Sequence, residues 1–86
     1  MSKSLYWRMI PKAPAEHNLD SLKYTLAKKI WDSDGSIGEG PEIVGEDLIP
    51  YLEGIIVGNG SGEMGRSARK LIDAIKQFGH VELLIK

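Results

Sequence analysis

The chain has no cysteine, which excludes disulfides, thiolate metal sites and cysteine nucleophiles together and fits a reducing compartment. Histidine is scarce as well: only His17 and His80 are present, and no serine sits in a nucleophile-elbow context. No catalytic triad can be assembled at a recognisable spacing, so a non-enzymatic protein is expected. Long apolar runs are missing too. None approaches the ~18 residues that a spanning helix needs, and the start of the chain lacks the basic-then-apolar pattern of a signal peptide. A cytoplasmic protein without a membrane partner is the expectation. Charge of one sign is not in excess either, since 11 basic residues face 12 acidic ones for a net charge of -1. Nothing draws the whole molecule toward nucleic acid or anionic lipid.

What the chain does have is 42% apolar and 27% charged residues over 86 positions, ordinary values for one globular domain spanning residues 1–86. Leu5, Trp7 and Met9 alternate with Tyr6, Arg8 and Ile10, a period-two pattern that predicts a first strand ending at Pro11 and Pro14. The segment from Lys12 to Asn18 reads as an extended connector. Leu19, Leu22, Leu26 and Ile30 then recur at helical intervals, with Asp20 placed to cap and Leu19 and Tyr24 at hydrophobic-staple spacing. Asp32 to Gly45 is rich in glycine and acidic residues and reads as a loop, with Glu42-Ile43-Val44 able to form a short extended segment. A second helix is predicted to follow Asp47, with Pro50 in its first turn and Leu48, Leu52, Ile55 and Ile56 as its stripe. The third carries Met64, Ala68, Leu71, Ile72, Ile75 and Phe78 on one face and closes at Gly79. Val81, Leu83 and Ile85 alternate in a last strand.

The expected fold is therefore α+β in the order β-α-α-α-β, with the N- and C-terminal strands paired and the helices packed on one face. Tyr6 and Trp7 must face opposite sides of that ribbon, and Arg8 should meet Glu82 on the outer one. Free ribbon edges would invite self-association of two copies, so a homodimer is among the expectations.

Two motifs suggest chemistry. Gly60-Ser61-Gly62-Glu63-Met64-Gly65 has the G-x-G-x-x-G spacing and resembles the dinucleotide-binding fingerprint of Rossmann enzymes, in which glycines bring backbone amides to a pyrophosphate at a helix start. The resemblance covers only Ile55 to Lys86. Gly58 and Asn59 stand where apolar strand residues should precede the first glycine, and no acidic residue follows the last strand to hold a ribose. The plainer reading is a helix-to-helix joint. The alternative keeps Gly60, Gly62, Arg66 and Arg69 as ligands for a nucleotide or another phosphorylated small molecule, bound by an oligomer. Asp32-Ser33-Asp34-Gly35 has the spacing of part of a calcium loop, but in that register the first and last ligand positions fall on Ile30 and Pro41. An acidic turn ending the first helix is expected, with no metal and no cofactor. Glu46 and Asp47 read as helix-start charges. Lys23, Lys28, Lys29, Arg66, Arg69, Lys70 and Lys76 read as solvated faces before they read as a nucleic-acid patch.

The stretches Leu5-Tyr6-Trp7-Arg8, Asp47 to Gly54 and Leu71 to Ile75 together resemble small proteins of phage and prophage genomes. That resemblance implies no reaction. It suits an accessory protein that regulates or inhibits a host component by binding it. Tyr6, Arg8, Tyr24 and Trp31, beside an exposed strand edge, are the expected protein-partner contacts.

Overall fold

The architecture comes from a computed structural model that describes residues 3–10 and 15–86. The two alternating runs pair as expected. β1 (Leu5–Met9) and β4 (Val81–Ile85) are antiparallel neighbours, with Leu5 opposite Ile85, Trp7 opposite Leu83 and Met9 opposite Val81. This register sets like faces together, because a slip of one residue would turn every apolar side chain outward. Ser4 and Lys86 extend the ladder by exchanging backbone hydrogen bonds of 3.0 and 3.1 Å.

The ribbon is wider than the two strands expected from the sequence. β2 (His17–Asn18) pairs with β1, and β3 (Glu39–Val44) pairs with β4, giving a four-stranded antiparallel sheet in the order β2-β1-β4-β3. Two expectations are corrected here. The connector contributes a short strand at its end, and the 32–45 loop contributes six strand residues rather than three. The cause is tertiary: each outer side of the β1–β4 pair presents backbone groups that need partners, and the flanking segments supply them despite weak strand propensity. Pro11, Pro14 and the beginning of the connector lie outside the described residues.

The first helical run starts with a 3-10 turn (Asp20–Leu22), passes into an α turn, α1 (Lys23–Leu26), and ends in a π turn (Ala27–Trp31). Leu22, Leu26 and Ala27 are fully buried. Asp20 does not cap this run. Its carboxylate accepts hydrogen bonds from the Leu5 amide and the Ser4 hydroxyl, both at 3.0 Å, while the Asn18 side chain accepts from the Asp20 amide. The staple is absent as well, since Leu19 is buried and Tyr24 is 69% exposed. The run closes at Asp32 in a left-handed conformation (φ 55°), so the acidic turn is the expected terminator.

A 3-10 turn (Glu46–Leu48) leads into α2 (Ile49–Asn59), which carries Pro50 in its first turn as predicted. Among the described residues no side-chain cap by Asp47 forms; the Leu48 amide instead donates to the Gly45 carbonyl at 3.0 Å. α3 (Glu63–Phe78) buries Ala68, Leu71, Ile72 and Ile75 on the predicted face, and Gly79 follows with φ 84°, its amide on the Ile75 carbonyl.

Helix residues Leu22, Leu26, Leu52, Leu71 and Ile75 form one core with Leu5, Val81, Leu83 and Ile85, so the helices cover a single face of the sheet. The radius of gyration is 11.9 Å, matching the ~12 Å of a compact chain of this length. No helix among the described residues is long and apolar enough to cross a membrane.

Candidate functional site

The glycine-rich segment forms the joint between α2 and α3. The Gly60 amide donates to the Ile56 carbonyl (2.8 Å), Gly62 to Asn59 (2.9 Å) and Arg66 to Gly62 (3.0 Å), so three of its amides are bonded within the joint. The Arg66 guanidinium turns back to the Ser61 carbonyl. Gly65 lets the helices approach: a Cβ built there would stand 2.6 Å from the Gly60 carbonyl oxygen. Ile55 to Val57, where a dinucleotide fold would need a strand, is helical. Gly60, Gly62, Arg66 and Arg69 are exposed and line neither of the two clefts described below.

The acidic turn is likewise engaged in local structure. Asp32 pairs with Lys28, and Asp34 accepts a hydrogen bond of 2.9 Å from the Ser36 amide. Lys28 holds the Asp32 carboxyl below its ordinary value, and Ser36 does the same for Asp34.

The four residues expected at a partner surface fall into separate places. Tyr6 and Arg8 project from β1 onto the sheet face away from the helices. Arg8 donates to Glu82 at 2.8 Å and pairs with Glu16 at 3.3 Å, and Lys86 completes the chain of charges by reaching Glu16 at 2.8 Å. The cross-strand contact to Glu82 was legible in the sequence. Hydrogen bonding to Glu82 raises the Arg8 pKa, and Lys86 followed by Arg8 lowers that of Glu16. Tyr24 lies apart, exposed on the first helical run with the Lys23 ammonium 5.2 Å from its ring centre. Trp31 is packed against the core and lies over β3, where a Cβ on Gly40 would come within 3.1 Å of its ring. Its ring serves packing.

Two clefts flank the sheet. The smaller, about 300 Å³, opens between the first helical run and β3, and is lined by Lys29, Ile30, Glu42, Ile43, Asp47 and Leu48. β3 is the outermost strand on this side. Ile43 borders it through its backbone, and its side chain, opposite Glu82 in the register, is 57% exposed on the sheet face away from the helices. The N-terminal half of the strand is interrupted by an irregularity between Glu39 and Glu42 that contains Gly40 and Pro41, which leaves Glu42–Val44 as its regular edge. The π turn carries Lys29 and Ile30 to the opposite bank; such turns occur mostly singly and often at functional sites. In the sequence Lys29 reads as part of a solvated basic face and Asp47 as a helix-start charge, and nothing there brings the residues of this cleft together. The one available signal was the β-branched pair Ile43-Val44 inside a polar loop.

The larger cleft, about 680 Å³, separates β1 and β2 from the C-terminal half of α3, with Trp7, His17, Lys70, Asp73, Gln77 and Phe78 around it. His17 stacks on Trp7 with ring centres 4.3 Å apart and planes 19° from parallel, and Phe78 lies 6.5 Å from the same indole.

Comparison of the chain with protein-family models, with curated proteins and with solved structures finds no match.

Proposed function

We propose that this chain is a small protein-binding regulator or inhibitor, an accessory protein that takes an extended segment of its partner along the outer edge of β3. The observation that carries this reading is the placement of that edge. A regular stretch, Glu42–Val44, borders a cleft whose far wall is a helical run, with Val44 on the cleft side and Ile43, opposite Glu82, exposed on the other face of the strand. An added strand would satisfy edge amides and carbonyls, each such bond contributing about 1 kcal/mol net. Alternate side chains of the incoming segment would enter the cleft, the usual division between main-chain affinity and side-chain specificity in strand addition.

Charge narrows the choice of partner. Lys29 stands on one bank and Glu42 and Asp47 on the other, so a segment carrying both signs is oriented as it docks. A second copy of the chain fits less well. Pairing two β3 edges would bring the acidic residues Glu39 and Glu42 of both copies together, and the interruption around Pro41 limits the length that can pair. The reading therefore favours a foreign partner over a homodimer, in keeping with an accessory protein acting on a host component.

Selection from a randomised linear peptide library against the immobilised chain tests this. The expected binders are extended, contain alternating apolar residues, and lose binding to Ile43→Asp while keeping it for Val57→Asp, a change at an 85% exposed position on α2. Binders that ignore Ile43→Asp, or a selection that enriches no sequence, would overturn the reading.

A further inference from the structure

The larger cleft lies apart from the β3 edge and has the make-up of a small-molecule site. Its volume of about 680 Å³ falls within the roughly 300–1,000 Å³ range of ligand pockets, which combine apolar walls with a few convergent polar groups. Leu19 and Ala74, both buried, supply an apolar base. Trp7 is held in place by the stacked His17 ring, while Phe78, although on the apolar face of α3, remains 40% exposed at the mouth.

The polar groups are ordered along the helix. Lys70, Asp73 and Gln77 follow one another at spacings of three and four residues, so they share one side of α3 and line the cleft as a row. Among the described residues neither Lys70 nor Asp73 takes part in an ion pair, whereas Glu16, at the other wall, is engaged by Arg8 and Lys86. A cation and an anion one helical turn apart thus stand beside an aromatic wall.

The geometry points to a binding site for a free aromatic amino acid, its ring against Trp7 and Phe78, its carboxylate on Lys70 and its ammonium on Asp73. Each element of the ligand has a counterpart: the ring extends an aromatic cluster already begun by three side chains, and the two charges meet opposite ones at helical spacing. Gln77, one turn beyond Asp73, is placed to hydrogen-bond a ring substituent.

Titration of the isotopically labelled chain with L-phenylalanine and L-tyrosine, followed by amide and indole NMR, tests the assignment. Saturable shifts are expected at Trp7, at His17 and along residues 70–78, with residues 42–44 unmoved. Glycine, which lacks the ring, and N-acetylphenylalanine amide, which lacks both charges, should bind at least about tenfold more weakly. Lys70→Gln and Asp73→Asn, both at exposed positions that leave the core intact, should each weaken phenylalanine about tenfold. No saturable shift, equal binding of the capped compound, or indifference to both substitutions would overturn the proposal. The β3 reading is untouched by any of these results, because its own test depends on Ile43.

Discussion

Replacing Gly65 by alanine should destabilise the fold, although the same change at other helical glycines should stabilise it. In a helix interior alanine is favoured over glycine by about 0.5–1 kcal/mol, since it restricts the unfolded chain and covers backbone. Gly54 in the middle of α2 shows the unopposed effect: a Cβ there meets nothing within 4 Å, so Gly54→Ala should raise the melting temperature by roughly 4–8 °C per kcal/mol gained. At Gly65 the new methyl would lie 2.6 Å from the Gly60 carbonyl oxygen. That oxygen belongs to the backbone of the joint, and the Gly60 amide is itself bonded to Ile56, so relief requires α2 and α3 to shift apart. Overpacking of this kind costs about 1–3 kcal/mol, which exceeds the propensity gain, a gain already reduced by the position in the first turn of α3. The net expectation is a loss of about 1–2 kcal/mol, read as a lower urea midpoint at unchanged slope. A Gly65→Ala protein as stable as the parent would refute the close-joint account and reopen the glycine-rich segment to a ligand role.

Three further outcomes follow from the same geometry. Leu83→Ala removes a fully buried side chain from the core strand and should cost about 2–5 kcal/mol by urea unfolding, a large share of the stability of so small a domain. Burial alone would raise the Asp20 pKa, but the Leu5 amide, the Ser4 hydroxyl and the Asn18 side chain outweigh it and leave the carboxyl below its ordinary 3.8. The stability it contributes is therefore complete above that value and is lost as pH falls through the lower, folded-state value, so Asp20→Asn should flatten the acid limb of a stability-against-pH curve, and an unchanged limb would contradict the tie between β1 and the first helical run. Mono-, di- and cyclic nucleotides should leave the melting temperature unchanged, whereas a rise with the logarithm of nucleotide concentration would restore phosphate binding at Gly60 to Arg66.

The parts of this fold that are legible in the sequence are those whose apolar spacing is decided locally. α3 is read almost residue by residue, because Ala68, Leu71, Ile72 and Ile75 recur with the helical period and Gly79 marks the end. The β1–β4 pair is legible for the same reason, down to the contact of Arg8 with Glu82. β3 is not, because Glu-Gly-Pro-Glu carries little strand propensity and is recruited by the open side of β4. The cleft beside it could not be foreseen without that strand. Asp20 misleads for a related reason: its sequence position suits a cap, but the passage of β1 beside it offers the Leu5 amide as a better partner. The aromatic residues divide by topology rather than by type, Trp31 turning inward over Gly40 while Tyr24 stays in solvent.

The central claim is that partners are captured along the Glu42–Val44 edge, and amide hydrogen exchange with and without a library-selected peptide tests it most directly. Edge amides not already bonded to β4 should exchange quickly in the free chain and slow markedly when the peptide is present, with protection spreading to residues 29–30 across the cleft and α3 left as before. Protection that appears elsewhere while residues 42–44 exchange at their original rates would contradict it.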